Sequence, residues 1–290
     1  MEQNRPGLLQ RWGTTSELMM GLTLDKSMPD LWSKQVLQMA SQYDFLYHAI
    51  LSMSALHADL LQPSDKMSLL AMEHRTISLG LFRQALGRLT KDNVSALFAC
   101  QCIAVAYSLG SQSHEVSLMA WKNMLTILRA TQLIVVDGGQ ALVSGPFGGM
   151  IQLHPTDDVE VPSDVRTMLN SLTSRLASSI STRAYYEALA GAISLLEYAL
   201  SLLPKPEFDQ VAINTFMLMV DQEFLNLVFL GEPLALAILG NYAVCLHVVG
   251  QRNILVRQWG REVLEEVQSR LPEEWQGEIE WAKREVVVKG

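Results

Sequence analysis

Residues 42–61 limit what this chain can fold into more than any other segment of the sequence. Their apolar side chains recur at the i, i+3, i+4 and i+7 spacing that defines one face of an α-helix. These apolar residues are Phe45, Leu46, Ala49, Ile50, Met53, Leu56 and Leu60. The small residues Ala55 and Ala58 let neighbouring backbones approach closely. A helix with so little polar surface must be covered by other helices, so the segment predicts the middle of a helical domain.

Helical periodicity continues along most of the chain, and strand patterns are almost absent. The prediction is an all-α protein, in which residues 1–290 form a single large domain of about ten helices in two packed layers. Its helical halves are expected at residues 8–134 and 163–282. Residues 135–162 between them are rich in glycine and proline and lack periodicity. That composition predicts one long irregular loop.

Charge and hydropathy argue against several classes of function. The formal net charge is −8, whereas nucleic-acid binding needs a basic surface that displaces counterions from phosphate, so direct nucleic-acid binding by this chain is not expected. Charged residues interrupt the apolar runs at residues 195–203 and 216–230, and neither reaches the roughly 18 residues of a membrane span. The first residues lack the apolar run of a signal peptide. The expected location is therefore intracellular, in the nucleus or the cytoplasm.

Cysteine and histidine spacing predicts no metal site and no cofactor. The three cysteines lie in apolar segments, as expected of free buried thiols, and they are Cys100, Cys102 and Cys245. His48 and His57 are separated by about 900° of helix, so they should point to opposite faces. No histidine has a second histidine or a cysteine at i+3 or i+4. For His48, His57 and His247, the simple interpretation is a partly buried ring bonded to a backbone carbonyl. The alternative is a polar group on the wall of an apolar pocket.

Several short motifs, taken in order over residues 8–281, resemble the regulatory region of fungal zinc-cluster transcription factors. The opening motif is carried by Leu31-Trp32, Tyr43, Phe45-Leu46, His48-Ala49-Ile50-Leu51 and Ser54-Ala55-Leu56-His57. Residues 92–99 and 233–239 continue the pattern, and Ile279-Glu280-Trp281 closes it. The most similar subgroup is the sterol-uptake-control type. The resemblance implies an all-helical, dimer-forming domain that senses sterol.

The six-cysteine zinc cluster and the basic linker of that family's DNA-binding half do not occur in these 290 residues. The resemblance therefore implies a regulatory, ligand-sensing domain that forms a homodimer and binds a hydrophobic small molecule: a sterol, a terpenoid or a polyketide. The expected ligand-binding residues lie between the C-terminal helices and are Phe216, Met219, Phe224, Leu234, Ile238, Tyr242, His247 and Ile254.

Two other classes of function stay open. In the first, a free-standing copy of the domain serves as an enzyme of fungal secondary metabolism, a cyclase or isomerase that folds a terpenoid or polyketide in an apolar cavity. Its candidate acids and bases are His48, Asp221, Tyr242 and His247. Asp221 either faces solvent or enters the cavity as a proton donor. In the second, the chain is a protein–protein module that pairs with full-length factors.

Overall fold

Fourteen α-helices and a few short turns of π- and 3₁₀-helix make up most of the protein, and no strand occurs in the part of the chain described here. The computed structural model describes residues 5–21, 30–111, 117–152, 161–178 and 182–288. Over these ranges the all-α prediction is confirmed, with more helices than the ten expected.

The chain divides into two compact units, which are described separately below. The first unit comprises Met1–Gln112 and Asn123–His154, and the second comprises Ser113–Lys122 and Pro155–Gly290. The first five helices belong to the first unit: α1 Arg5–Gly21, α2 Val36–Ala40, α3 Asp44–Leu61, α4 Asp65–Leu86 and α5 Val94–Ser111. Helix α6, Leu118–Val143, begins in the second unit and ends in the first, where α7, Gly148–Gln152, follows.

Helix α3 is the centre of the first unit, as its apolar sequence predicted, and it packs against α1, α4 and α5. Tryptophan and phenylalanine side chains fill the space around it. The Trp12 indole donates a hydrogen bond to the Trp32 carbonyl at 2.9 Å. The Phe147 ring meets those of Trp32 and Phe98 edge-on, at centroid distances of 5.7 and 5.1 Å. Burial of these large apolar side chains is the main source of stability in this unit.

The prediction of one irregular loop over residues 135–162 is wrong where the structure has helix. Helix α6 continues to Val143 and α7 occupies residues 148–152, while residues 153–160 lie outside the described ranges. The glycines were misleading because one of them serves close packing: a Cβ on Gly138 would lie 2.5 Å from Val94 Cγ2 of α5. Gly139, with φ 45° and ψ −132°, has a non-helical backbone, so a kink at this residue joins two helical pieces within the range given for α6.

The second unit is built around α12, which packs against most of the other helices in that unit. The helices are α8 Ser163–Ser178, α9 Arg183–Leu202, α10 Asp209–Met219, α11 Gln222–Leu230, α12 Pro233–Gly250, α13 Trp259–Arg270 and α14 Glu280–Val288. Helices α12 and α13 approach very closely at Gly260. A Cβ at that position would lie 2.4 Å from the His247 nitrogen and 2.6 Å from the Ala243 oxygen. The absence of a side chain at residue 260 therefore sets the separation of these two helices.

Two of the described helices, α5 and α12, are long and apolar enough to cross a membrane by length and composition alone; α10 and α11, if counted as one bent span, would make a third. In this structure 78% of the α5 window and 83% of the α12 window are buried inside the protein. A helix that is apolar on all sides is expected in either setting. The absence of a membrane span therefore stays a prediction.

Candidate functional site

Three of the predicted ligand-binding residues, Phe216, Met219 and Phe224, lie on the two helices that meet at a break in the second unit. The sequence predicts one helix over residues 208–230, but α10 ends at Met219 and α11 begins at Gln222. Val220 is extended, with φ −59° and ψ 139°. The Asp221 carboxylate accepts a hydrogen bond at 2.7 Å from the Glu223 N–H, as a helix N-cap does. Asp221 is exposed, and its carboxylate caps α11 at the surface of this unit.

Three of the predicted wall residues form a closed aromatic cluster. The Phe216 ring stacks on Tyr242 at a centroid distance of 4.1 Å and meets Phe224 edge-on at 5.8 Å. All three side chains are fully buried. The Tyr242 hydroxyl donates to the Ile213 carbonyl at 2.7 Å, and burial raises the pKa of Tyr242 well above its usual value. The hydroxyl is therefore a buried hydrogen-bond donor with its partner already in place.

The remaining wall residues lie at different depths. Leu234 and Ile238 precede Tyr242 at four-residue intervals on α12, so they share its face, and both are buried. By contrast, 62% of the Met219 side chain is exposed, and Ile254 is half-buried. The structure thus brings most of the predicted wall together as packed core, with Met219 at the surface.

His247 is buried near the end of α12 and is separate from the aromatic cluster. Its Nε2 lies 3.1 Å from the Gln251 side-chain nitrogen. Burial lowers the pKa of His247, and the nearby Glu285 carboxylate of α14 acts in the opposite direction. Five helical residues separate His247 from Tyr242, about 140° around the helix axis, so the two side chains point in different directions.

An open groove lies beside the α10–α11 break and was not predicted from the sequence. It has a volume of about 430 Å³ and is lined by Ala184, Glu187, Ala188, Gly191 and Leu195 of α9 together with Met219, Asp221 and Glu223. Small residues on α9 make the floor, and carboxylates stand at the rim. The signal in the sequence is the i, i+4, i+7, i+11 spacing of the α9 residues, which marks one face of a helix. Helical spacing alone does not predict which helix lies opposite this face of α9.

The candidate catalytic residue His48 belongs to the first unit, whereas Asp221, Tyr242 and His247 belong to the second. His48 Nδ1 lies 2.9 Å from His74 Nδ1 of α4, and the two rings are 5.0 Å apart. At this distance one ring donates a hydrogen and the other accepts it. This cross-helix pair cannot be read from the sequence, because the spacing rules for ligands apply within one helix.

His57 points away from His48, as predicted, and its Nδ1 lies 3.0 Å from the Thr15 hydroxyl of α1. Burial lowers the pKa of His57, and the charge of Arg11 lowers it further. Each of these two rings therefore lies within hydrogen-bonding distance of a side chain on a neighbouring helix.

The first unit contains a small cavity between α3, α4 and α5 of about 20 Å³, which is room for about one water molecule. Burial raises the pKa of the neighbouring Cys100 thiol to about 12. No group of three or more potential metal ligands occurs among the residues that the structure describes. Neither the cavity nor the thiols form a recognisable reaction centre.

Comparison with known proteins gives two findings. Residues 21–137 match the family described as the fungal specific transcription factor domain. The chain is also 23% identical over 227 residues to Sterol uptake control protein 2 of Saccharomyces cerevisiae, an alignment that covers 74% of this chain and 24% of that protein. The chain thus spans about a quarter of the length of this relative. The match over residues 21–137 agrees with the family resemblance that the order of the sequence motifs indicates, that of a fungal transcription factor regulatory domain.

Proposed function

We propose that the chain is the regulatory, ligand-sensing part of a fungal transcription factor, that it binds a hydrophobic metabolite of sterol-like shape, and that it forms a homodimer. The family match supports the regulatory role. The relative's name, which refers to control of sterol uptake, supports the class of ligand. A role in transcription places the chain in the nucleus or cytoplasm. The groove beside the α10–α11 break is the observation that carries the ligand proposal.

The groove is large enough for such a ligand. Its volume of about 430 Å³ falls within the roughly 300–1,000 Å³ typical of small-molecule sites. Ala188 and Gly191 leave a shallow, smooth floor against which a flat polycyclic skeleton can lie. Met219 is exposed at the edge of the groove, and an unbranched thioether adapts readily to different apolar shapes. The carboxylates at the rim, Asp221 among them, can accept a hydrogen bond from a ligand hydroxyl.

Phe216, a predicted wall residue on α10, is fully buried about one helical turn before the exposed Met219. Phe216 precedes Met219 by three residues on α10, so the two share a face of that helix. Movement of the end of α10 would open a path from the groove to the cluster of Phe216, Phe224 and Tyr242. A ligand that binds this opened form more tightly than the closed form shifts the population towards it. That shift is the proposed signal.

Binding can be tested with the full chain and two probes, ergosterol and a polycyclic terpenoid, followed by thermal shift and by fluorescence. Gly191→Leu places a side chain on the groove floor, where a Cβ meets no described atom within 4 Å. This variant should fold normally and lose sterol binding. Gly13→Leu, at an exposed glycine of α1 with equally free surroundings, is the matched control and should bind like the unmodified chain. Equal binding by both variants would remove the groove from the proposal.

The enzyme alternative receives no specific support from the described residues. Asp221 is an exposed cap, Tyr242 is bonded to a backbone carbonyl, and His48 belongs to the other unit. The same binding experiment also tests the enzyme alternative, because a probe that is recovered chemically changed would establish catalysis and exclude a pure sensor.

A further inference from the structure

Helix α4 presents an apolar face to solvent on the side opposite its packing surface. Its inner face carries the buried residues that pack within the first unit, namely Leu70, Ala71, His74, Ser78 and Phe82. On its outer side, Leu69 is 67% exposed and Met72 is 62% exposed, and Leu86 near the end of the helix is 40% exposed. Leu69 and Met72 lie within about 60° of each other around the helix, and exposed apolar side chains placed together in this way are typical of an interaction surface.

Gly80 lies on the same outer face, in the interior of a helix of 22 residues. Glycine in such a position destabilises a helix by roughly 0.5–1 kcal/mol relative to alanine. Packing within the described chain does not require it, since a Cβ at Gly80 meets no atom within 4 Å. The residue is therefore unexplained by the fold of one copy, and it permits another backbone to approach from outside.

The outer face has a regular order of residue types. Positions that alternate by four and three residues fall within about 80° of one another around the helix, as in a two-helix seam. These positions are Leu69, Glu73, Thr76, Gly80, Arg83 and Gly87. Leu69 lies at one end of this series, Thr76 and Gly80 lie in the middle, and Gly87 lies at the other end. The acidic Glu73 and the basic Arg83 lie on either side of the middle pair.

We propose that this face, termed the α4 seam, binds the α4 seam of a second copy in antiparallel orientation about a two-fold axis. With the axis midway between Thr76 and Gly80, these two residues face each other across it. Each Leu69 then lies over Gly87 of the other copy, a large residue against a small one. A two-fold interface requires such reciprocal contacts, in which each residue of a pair meets the other twice.

The charges on the seam favour the same arrangement. In the antiparallel register each Glu73 lies opposite Arg83 of the other copy, which makes two intermolecular ion pairs. Within the part of the chain that the structure describes, neither side chain has an ion-pair or hydrogen-bond partner. A parallel pairing would instead place Glu73 beside Glu73. The seam is thus complementary to itself in one orientation.

This inference rests on the proposed homodimer and assigns its interface. Sedimentation velocity of the full chain over a range of concentrations tests both the dimer and the interface. The unmodified chain should change from monomer to dimer with increasing concentration. Gly80→Leu should weaken dimerisation at least about tenfold and leave the melting temperature unchanged or higher. Gly13→Leu on α1 is the matched control and should dimerise normally.

Charge exchange then tests orientation. Glu73→Arg alone and Arg83→Glu alone should each weaken the dimer, because each turns two attractive contacts into repulsive ones. The double variant should recover most of the affinity, since the antiparallel pairs are restored with their signs exchanged. A dimer unaffected by Gly80→Leu would overturn the seam and leave the proposed dimer standing. A chain that stays monomeric at all concentrations would overturn both, and sterol binding would still be tested separately.

Discussion

The contact between α12 and α13 allows a sharp prediction about stability in the second unit. Gly260→Ala adds one methyl group at a place where it would lie 2.4 Å from the His247 nitrogen and 2.6 Å from both the His247 Cα and the Ala243 oxygen. Ordinary contacts begin near 3.4 Å, so the two helices must separate by about 1 Å. All three obstructing atoms belong to the backbone, and no change of side-chain rotamer can relieve the overlap.

The loss of folding free energy follows from this geometry. Overpacking in a well-filled core destabilises by about 1–3 kcal/mol, and rigid backbone neighbours place Gly260→Ala at the upper end, about 3 kcal/mol. For a body of roughly 150–250 residues, each kcal/mol lowers the melting temperature by about 2–4 °C. The expected decrease is therefore about 6–12 °C. Trp259, which is fully buried next to the substitution, reports the unfolding of this region by its fluorescence.

Gly191→Ala in α9 is the matched control, because its added methyl group meets no described atom within 4 Å. Alanine favours the helical backbone, so this variant should be as stable as the unmodified chain or more stable by up to about 1 kcal/mol. Thermal and urea unfolding of both variants, followed by tryptophan fluorescence, compare the two effects. If Gly260→Ala unfolds within 2 °C of its control, the close approach of α12 and α13 does not describe the protein in solution.

Two further predictions concern buried titratable groups. His57 has a lowered pKa in the folded chain, so the unfolded chain binds more protons as the pH falls below about 6.5, and the free energy of unfolding should decrease there. Urea titrations at pH 7.5 and 5.5 should show this decrease, with a smaller difference in His57→Gln; equal pH dependence in the two proteins would refute the assignment. Burial raises the pKa of the Cys100 thiol to about 12 and leaves its side chain inaccessible, so it should not react with a thiol reagent at pH 8 until the chain unfolds. Labelling of Cys100 within seconds under native conditions would contradict this.

Apolar periodicity was sufficient to predict the helical class and the central elements of each unit. Residues 45–60 and 233–249 lie on α3 and α12, where the sequence placed helices, because a helix without a polar face has few alternatives to burial. Glycine residues were the main source of error in the predicted helix boundaries. An irregular loop was expected from residue 135. Gly139 does interrupt the helical backbone, whereas Gly138 is a point of close contact with Val94, and a sequence does not show which of these roles a glycine has.

The candidate site was less predictable, because it depends on contacts between helices that are distant in sequence. Phe216 and Tyr242 were predicted on the wall of a ligand pocket, and in the structure their rings stack directly on each other, which leaves no open pocket between them. The open volume lies instead against α9, whose small residues carry no chemical signal of their own. The His48–His74 pair was missed for the same reason, since the register between α3 and α4 is set by tertiary packing.

The break between α10 and α11 has a consequence for the order of this region. These helices have 11 and 9 residues, shorter than the roughly 12–15 residues at which an isolated helix becomes even marginally stable in water. Each therefore persists because it is docked on its neighbours, and their junction is a point where the second unit can open locally without unfolding as a whole. A molecule seated in the groove would hold both helices in place at once. Occupancy and folding of this corner are then linked, and amide exchange in α10 and α11 should slow when the groove is filled.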